Sequence, residues 1–307
     1  MTLYIEPHAG VGPVIAFIQQ ARGTLDINAY LATDRRIIQA IAQDVRRGIH
    51  VRILIDRRPD GGRPPGEIVR LRATGAQVRF APTRFTRHSA DNAQRYVFDH
   101  AKYMVSGSSF ELGTANLTWS ALGGRNREYL DIARQTAVAH ALQDVFIADW
   151  HNRPAGNAPR QILVLSPGAT PAPVAAIQQP GAVFIESEEL GKDRAILSAL
   201  RAKGTQARVL LPTTLNRYDR HIAQGLATVG VRVRYLVAPY LHAKLIAGPR
   251  EAFLGSENFT WTSLNRNREV GILRGNPTAA RLDRQCMRDW LGHGDDTRTC
   301  PGRWVRN

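Results

Sequence analysis

The stretch that decides the fold is H-A-K at His100–Lys102, then L-G-T-A-N-L-T-W-S-A-L at 112–122 and R-N-R-E at 125–128. It returns as H-A-K at His242–Lys244, L-G-S-E-N-F-T-W-T-S-L at 254–264 and R-N-R-E at 266–269. His100 pairs with His242, Lys102 with Lys244, Asn116 with Asn258 and Trp119 with Trp261, each 142 positions apart. Glu128 and Glu269 are 141 apart, so the loop before them differs by one residue. A period this long in 307 residues is a duplicated domain and not a solenoid of short repeats.

Outward from the motif, each half carries the same pattern. Pro13–Ala21 reads as a short amphipathic helix and Thr24–Tyr30 as a strand. Thr33 or Asp34 caps a helix that Gly48 ends, and His50–Ile55 is a β-branched strand. Arg57–Gly66 is a Pro/Gly/Arg loop, Glu67–Thr74 a helix and Gln77–Phe80 a strand. Alternating strands and helices predict an α/β fold with a largely parallel sheet. Tyr96–Val105 and Ser109–Thr114 read as adjacent strands, which puts His100 and Lys102 on one face of one strand. Thr136–Trp150 closes the half. Arg153–Pro159 reads as a linker, so the halves are 1–153 and 154–307. The second half replays these elements, down to Asp289-Trp290 answering Asp149-Trp150, with both tryptophans read as core.

The formal charge is +15 and the pI about 10.7. This implies a polyanionic partner, nucleic acid or an anionic membrane surface. Nearly all the excess is arginine. The lysines are Lys102, Lys192, Lys203 and Lys244, so two of four fall in the motif, where a compact ammonium is wanted. The two cysteines, Cys286 and Cys300, are too few for a thiolate zinc site. They are either a disulfide over the C-terminal tail or two separate thiols. No apolar run is long enough to span a bilayer. No basic-then-apolar leader opens the chain, and a removed one is left open.

A histidine and a lysine two apart on a strand can face one anion, with an asparagine amide donating to it. A glutamate on the far imidazole nitrogen would fix the tautomer and raise basicity. Two such sets around one phosphate supply a nucleophilic imidazole, an acid/base imidazole and two ammonium groups, with no metal or cofactor required. Buried framework repeats keep apolar residues and glycines. Matched His, Lys, Asn and Glu are costly to bury without a task.

These residues resemble the phospholipase D superfamily, whose signature is H-x-K followed by G-[ST]-x-N, present twice per active unit. The resemblance covers nearly the whole chain. It implies two similar halves, each a mixed, largely parallel sheet flanked by helices, related by pseudo-twofold symmetry around one shared site. It also implies a metal-independent phosphohistidine mechanism. By resemblance, His100 is the nucleophile and His242 the acid/base, an order that near-symmetry could reverse. Lys102, Lys244, Asn116 and Asn258 hold the phosphate, and Glu128 and Glu269 orient the histidines. One departure stands out: the aspartate usual five residues after each lysine is Gly107 and Pro249 here.

The family includes nucleases, phospholipases and phosphatidyltransferases of the cardiolipin synthase kind. Minimal halves and dispersed arginines favour a nuclease acting on DNA or RNA. The loops bearing Arg84, Arg87, Arg95, Arg217 and Arg220 are expected to flank the cleft. Phe80, Phe85, Leu215 and Tyr240 are expected near it or in the core, and His88 and His221 are candidates for nearness. An enzyme acting on phospholipid head groups is the alternative, and Gly107 and Pro249 motivate a third, an inactive nucleic-acid-binding module. One chain holds both motif copies, so a monomer can form the whole site.

Overall fold

The computed structural model describes residues 2–59, 66–85, 97–292 and 304–305. Arg87, His88, Arg95, His293 and Cys300, and with Cys300 the disulfide question, lie outside them.

The first half runs β1 (Thr2–Ile5), α1 (Gly12–Gln19), β2 (Thr24–Ala29), α2 (Arg35–Arg46), β3 (His50–Ile55), α3 (Glu67–Ala73) and β4 (Gln77–Phe80). It continues with β5 (Tyr103–Ser106), β6 (Ser109–Gly113), α4 (Trp119–Leu122), β7 (Asn126–Arg127), β8 (Tyr129–Arg134) and α5 (Thr136–Trp150). The second half has β9 (Val164–Ser166), α6 (Pro171–Gln178), β10 (Val183–Ser187), α7 (Arg194–Lys203), β11 (Ala207–Pro212), α8 (Arg217–Ala227) and β12 (Arg232–Leu236). It ends with β13 (Tyr240–Leu241), β14 (Lys244–Ala247), β15 (Glu251–Gly255), α9 (Trp261–Asn265), β16 (Glu269–Gly275), α10 (Thr278–Leu291) and β17 (Trp304–Val305).

The local reasons are ordinary ones. Asp34 caps α2 by accepting from the Arg36 N–H, and Gly48 follows it with φ +84°. Ile37, Ala40 and Ile41 of α2 pack with Leu25, Ile27, Val51 and Ile53 of the sheet. The sheet order is β1-β8-β6-β5-β2-β3-β4 in the first half and β17-β12-β11-β10-β14-β15-β16-β9 in the second. On one side of each sheet the three strands β2-β3-β4 and β10-β11-β12 are parallel, as the helical crossovers require. The motif side, β5-β6-β8 and β14-β15-β16, is antiparallel, with tight hairpins joining β5 to β6 and β14 to β15.

Each motif glycine sits where strands crowd. A Cβ on Gly113 would lie 2.2 Å from the Tyr129 carbonyl, and one on Gly255 would lie 2.5 Å from the Gly271 Cα. Gly107 lies in the β5–β6 hairpin turn with φ +58°, and Pro249 in the β14–β15 turn against Gly181. Both turns are at the far ends of strands whose near ends carry the H-A-K segments. The substitution of the usual aspartates therefore falls on turn positions remote from the histidines.

The halves share cores. Leu163, Leu165, Val270 and Ile272 of the second half pack with Phe110, Leu142 and Phe146 of the first. Leu3 and Tyr129 of the first half pack among Leu245, Leu254 and Leu282 of the second. Trp150 and Trp290 are buried in these two clusters, as expected. We place the boundary between halves at 153/154, after α5. No helix among the described residues is long and apolar enough to cross a membrane.

Candidate active site

The site forms where the two halves exchange backbone hydrogen bonds. The Arg268 N–H donates to the Phe98 carbonyl at 2.9 Å, and the His100 N–H donates to the Arg268 carbonyl at 2.8 Å. The mirror set is Tyr240 N–H to Arg125 O at 2.9 Å and His242 N–H to Arg127 O at 3.3 Å. Thus the R-N-R-E segment of each half lies along the H-A-K segment of the other, and β7 pairs with β13 in parallel. The arginines lock the arrangement. Buried Arg127 donates to Asp289 of α10 at 2.8 Å, and buried Arg268 donates to Asp149 of α5 at 2.7 and 3.0 Å. Both are ion pairs across the halves.

The strand expected over Tyr96–Val105 begins only at Tyr103. His100 and Lys102 occupy its lead-in: the His100 N–H bonds to the other half, while the Lys102 carbonyl still accepts from the Gly113 N–H of β6 at 3.3 Å. In the second half Lys244 opens β14 and His242 precedes it.

The crossing pairs each histidine with the other half's glutamate. Glu269 accepts from His100 Nδ1 at 3.0 Å, and Glu128 accepts from His242 Nδ1 at 2.9 Å. The carboxylates are themselves held. Thr114 Oγ1 and Asn126 Nδ2 donate to Glu128 at 2.6 and 3.0 Å; Ser263 Oγ and Asn267 Nδ2 donate to Glu269 at 2.6 and 2.9 Å. Burial would raise the Glu269 carboxyl, but His100 and Lys102 together hold it below the usual carboxylate range. Burial lowers His100, partly offset by Glu269. Each lysine curls back onto the carbonyl of its own histidine at 2.7 Å. Burial pushes the Lys102 ammonium down to about 7 against the pull of Glu269.

His100, His242, Asn116 and Asn258 line one cavity of about 280 Å³ with Tyr30, Leu31, Phe98, Glu188 and Glu189. All eight expected site residues are brought together, directly or through these bonds. Three further residues had no sequence signal of their own. Glu188 accepts from Lys244 Nζ at 2.7 Å and lies 3.3 Å from His242 Nε2, and Tyr240 donates to it at 3.1 Å. Glu189 accepts from Asn258 Nδ2 at 3.3 Å, and burial and then Glu188 raise it to about 7. Tyr30 stands edge-on to His100 at 4.6 Å, with Lys102 Nζ 5.2 Å from its ring centre.

Other expectations divide. Tyr240 is at the site, while Phe85 and Leu215 are buried and do not line the cavity, and Phe80 packs against the first-half core. Arg84 donates to Asp149, Asn152 and the Arg153 carbonyl. Arg220 likewise donates to Thr213 O, whereas Arg217 is exposed at the start of α8. His221 is exposed on α8 and does not line the cavity. Cys286 is buried.

A family model described as "Cardiolipin synthase, PLD-like domain" matches residues 14–150 and 182–290. The chain belongs to the phospholipase D superfamily. Its fold is similar to that of a phosphatidylserine synthase from Haemophilus influenzae, with a TM-score of 0.68 at 12% identity, over 99% of this chain and 87% of that one. It is also similar to a polyphosphate kinase from Porphyromonas gingivalis, with a TM-score of 0.66 at 14% identity. That match covers 91% of this chain, which spans under half (45%) of the kinase. The phospholipase D family member Nuc from Salmonella typhimurium matches 49% of the chain and 93% of its own length at 22% identity, with a TM-score of 0.40. No curated protein matches the sequence.

Proposed function

We propose that the protein is a metal-independent phosphodiesterase that works through a phosphohistidine, and that its substrate is nucleic acid. The observation that carries the chemistry is the pair of crossed His–Glu contacts around one cavity. Glu269 accepts the Nδ1 proton of His100, which leaves the Nε2 lone pair to attack phosphorus. The N–P bond forms as the P–O bond to the leaving group breaks, and His242 Nε2 gives that oxygen a proton. Water, deprotonated by His242, then attacks phosphorus and releases His100. Lys102, Lys244, Asn116 and Asn258 stabilise the charge on the non-bridging oxygens.

Two observations support nucleic acid. The charge of +15 suits a phosphate backbone. Trp119 and Trp261, at matched positions, are exposed by 51% and 39%, and Trp261 lies between the cavity-lining Thr260 and Thr262. Arg125 lies 4.9 Å from the Trp119 ring and Arg266 5.5 Å from the Trp261 ring. Exposed aromatic rings with guanidinium groups are stacking platforms for unpaired bases. The second reading, a phospholipid head-group enzyme, is favoured by the apolar wall of Tyr30, Leu31 and Phe98. The test is a paired assay in EDTA: single- and double-stranded DNA against mixed phospholipid vesicles, with His100→Ala as control. DNA cleavage lost in the variant is expected. Head-group release alone would transfer the protein to the lipid reading. Binding without turnover would mark an inactive module.

A further inference from the structure

The pseudo-symmetry of the site breaks at one place. Ala32 bridges Leu117 and Leu190 bridges Phe259, and these four residues are equivalent across the halves. Tyr30-Leu31 therefore occupies in the first half the place of Glu188-Glu189 in the second. The first histidine meets a tyrosine ring there, and the second meets a carboxylate.

The consequence is read from the ring nitrogens. Glu269 and the Ser256 carbonyl, 3.0 and 3.2 Å from His100 Nδ1, are both acceptors, so that nitrogen carries the proton. No hydrogen bond joins His100 Nε2 to another described residue, and the ring lines the cavity. His242 has carboxylate oxygens at both nitrogens, Glu128 at 2.9 Å and Glu188 at 3.3 Å. Only the imidazolium donates from both. Lys244 and Tyr240 share Glu188, and Lys244 Nζ also stands 3.3 Å from His242 Nδ1. Glu188 is kept ionised: burial would raise its carboxyl, but His242 and Lys244 beside it, with a smaller pull from His100, lower it strongly.

We infer that Glu188 is a positioning residue that divides the work between the histidines. It holds His242 as the proton donor, with both ring nitrogens engaged, and leaves His100 Nε2 as the attacking nitrogen. The inference rests on the phosphohistidine reading above. At 3.3 Å the Glu188 contact is long, so the leaving oxygen of a bound phosphodiester can take its place at His242 Nε2 as the N–P bond forms at His100. Lys244 remains the tighter anchor for Glu188. Lys102 makes no ion pair with a described residue, which leaves it the cation most available to the phosphate.

The experiment maps the covalent adduct. Protein is mixed with bis(p-nitrophenyl) phosphate, quenched in alkaline detergent, digested and read by mass spectrometry. In the wild type the p-nitrophenyl phosphoryl group is expected on the His100 peptide alone. In Glu188→Gln it is expected on both His100 and His242 peptides. Glu188→Asp should restore labelling to His100 alone. A contact that only supported the fold would slow labelling without moving it. Label on His242 in the wild type overturns the inference and leaves the phosphohistidine reading standing. So does exclusive His100 labelling in Glu188→Gln. Label on neither histidine in the wild type overturns both.

Discussion

At the residue scale, the proposed mechanism needs each histidine to hold one proton state. His100→Ala and His242→Ala are each expected to lower kcat by about a thousandfold, measured in single turnover, and EDTA should leave the wild type unchanged. The pH profile of kcat/KM should be bell-shaped. Burial lowers His100, so the acid limb, where the nucleophile gains its proton, should lie below the ordinary histidine value of about 6.5. Lys102 is pushed down to about 7, so its positive charge is lost as the pH rises through that value, and substrate capture should weaken on the alkaline side. Lys102→Arg, whose guanidinium stays charged, should remove that contribution and move the basic limb upward. A basic limb identical in the two proteins would exclude Lys102 as its source. Tyr30 and Glu188 were not legible at this scale. A tyrosine and a glutamate at strand ends carry no spacing or motif of their own.

At the scale of elements, the sequence placed most strands and helices correctly, because periodicity and caps are local. It overextended one. Tyr96–Val105 reads as a continuous strand, yet the ladder starts at Tyr103, since residues 98–100 bond to 266–268 of the other half. That competition is invisible to a local pattern. The Asp-Trp pairs that close α5 and α10 read as core, and the tryptophans are. Their aspartates are the anchors of Arg268 and Arg127. Arg127→Ala leaves Asp289 buried without its cation and should cost about 3–5 kcal/mol in urea unfolding. A loss under about 1 kcal/mol would mean the pair does not tie the halves together. Gly107 and Pro249 belong to this scale too. As hairpin-turn residues they shape β5–β6 and β14–β15, so Gly107→Asp should leave the site's pH profile unchanged even where it lowers stability through its φ of +58°.

At the scale of the molecule, charge and aromatic placement are what the proposed nucleic-acid partner rests on. The His100→Ala protein should bind a single-stranded oligonucleotide with log K falling linearly in log salt, at a slope of about −0.7 per phosphate neutralised. Trp261→Ala should weaken that binding by about 1–3 kcal/mol if a base stacks there. Salt-independent binding, or an unchanged affinity, would remove the nucleic-acid surface from this face. The two halves cannot divide the chemistry independently. Because Glu269 holds His100 from the other half, His100→Ala and Glu269→Gln should be strongly non-additive, the double variant being little slower than His100→Ala alone.

The sequence by itself determined the duplication and the family, and it singled out the eight polar residues of the candidate site. Each of those is a repeated local string, and repetition is readable without coordinates. Only the tertiary structure decided that each glutamate serves the opposite histidine and that Glu188 stands in the place of Tyr30. The His–Glu contacts join residues up to 169 positions apart. They are fixed by how the R-N-R-E segment of one half lies along the H-A-K segment of the other. A hydrogen bond across such a distance depends on packing of whole sheets, and no string of neighbours encodes it.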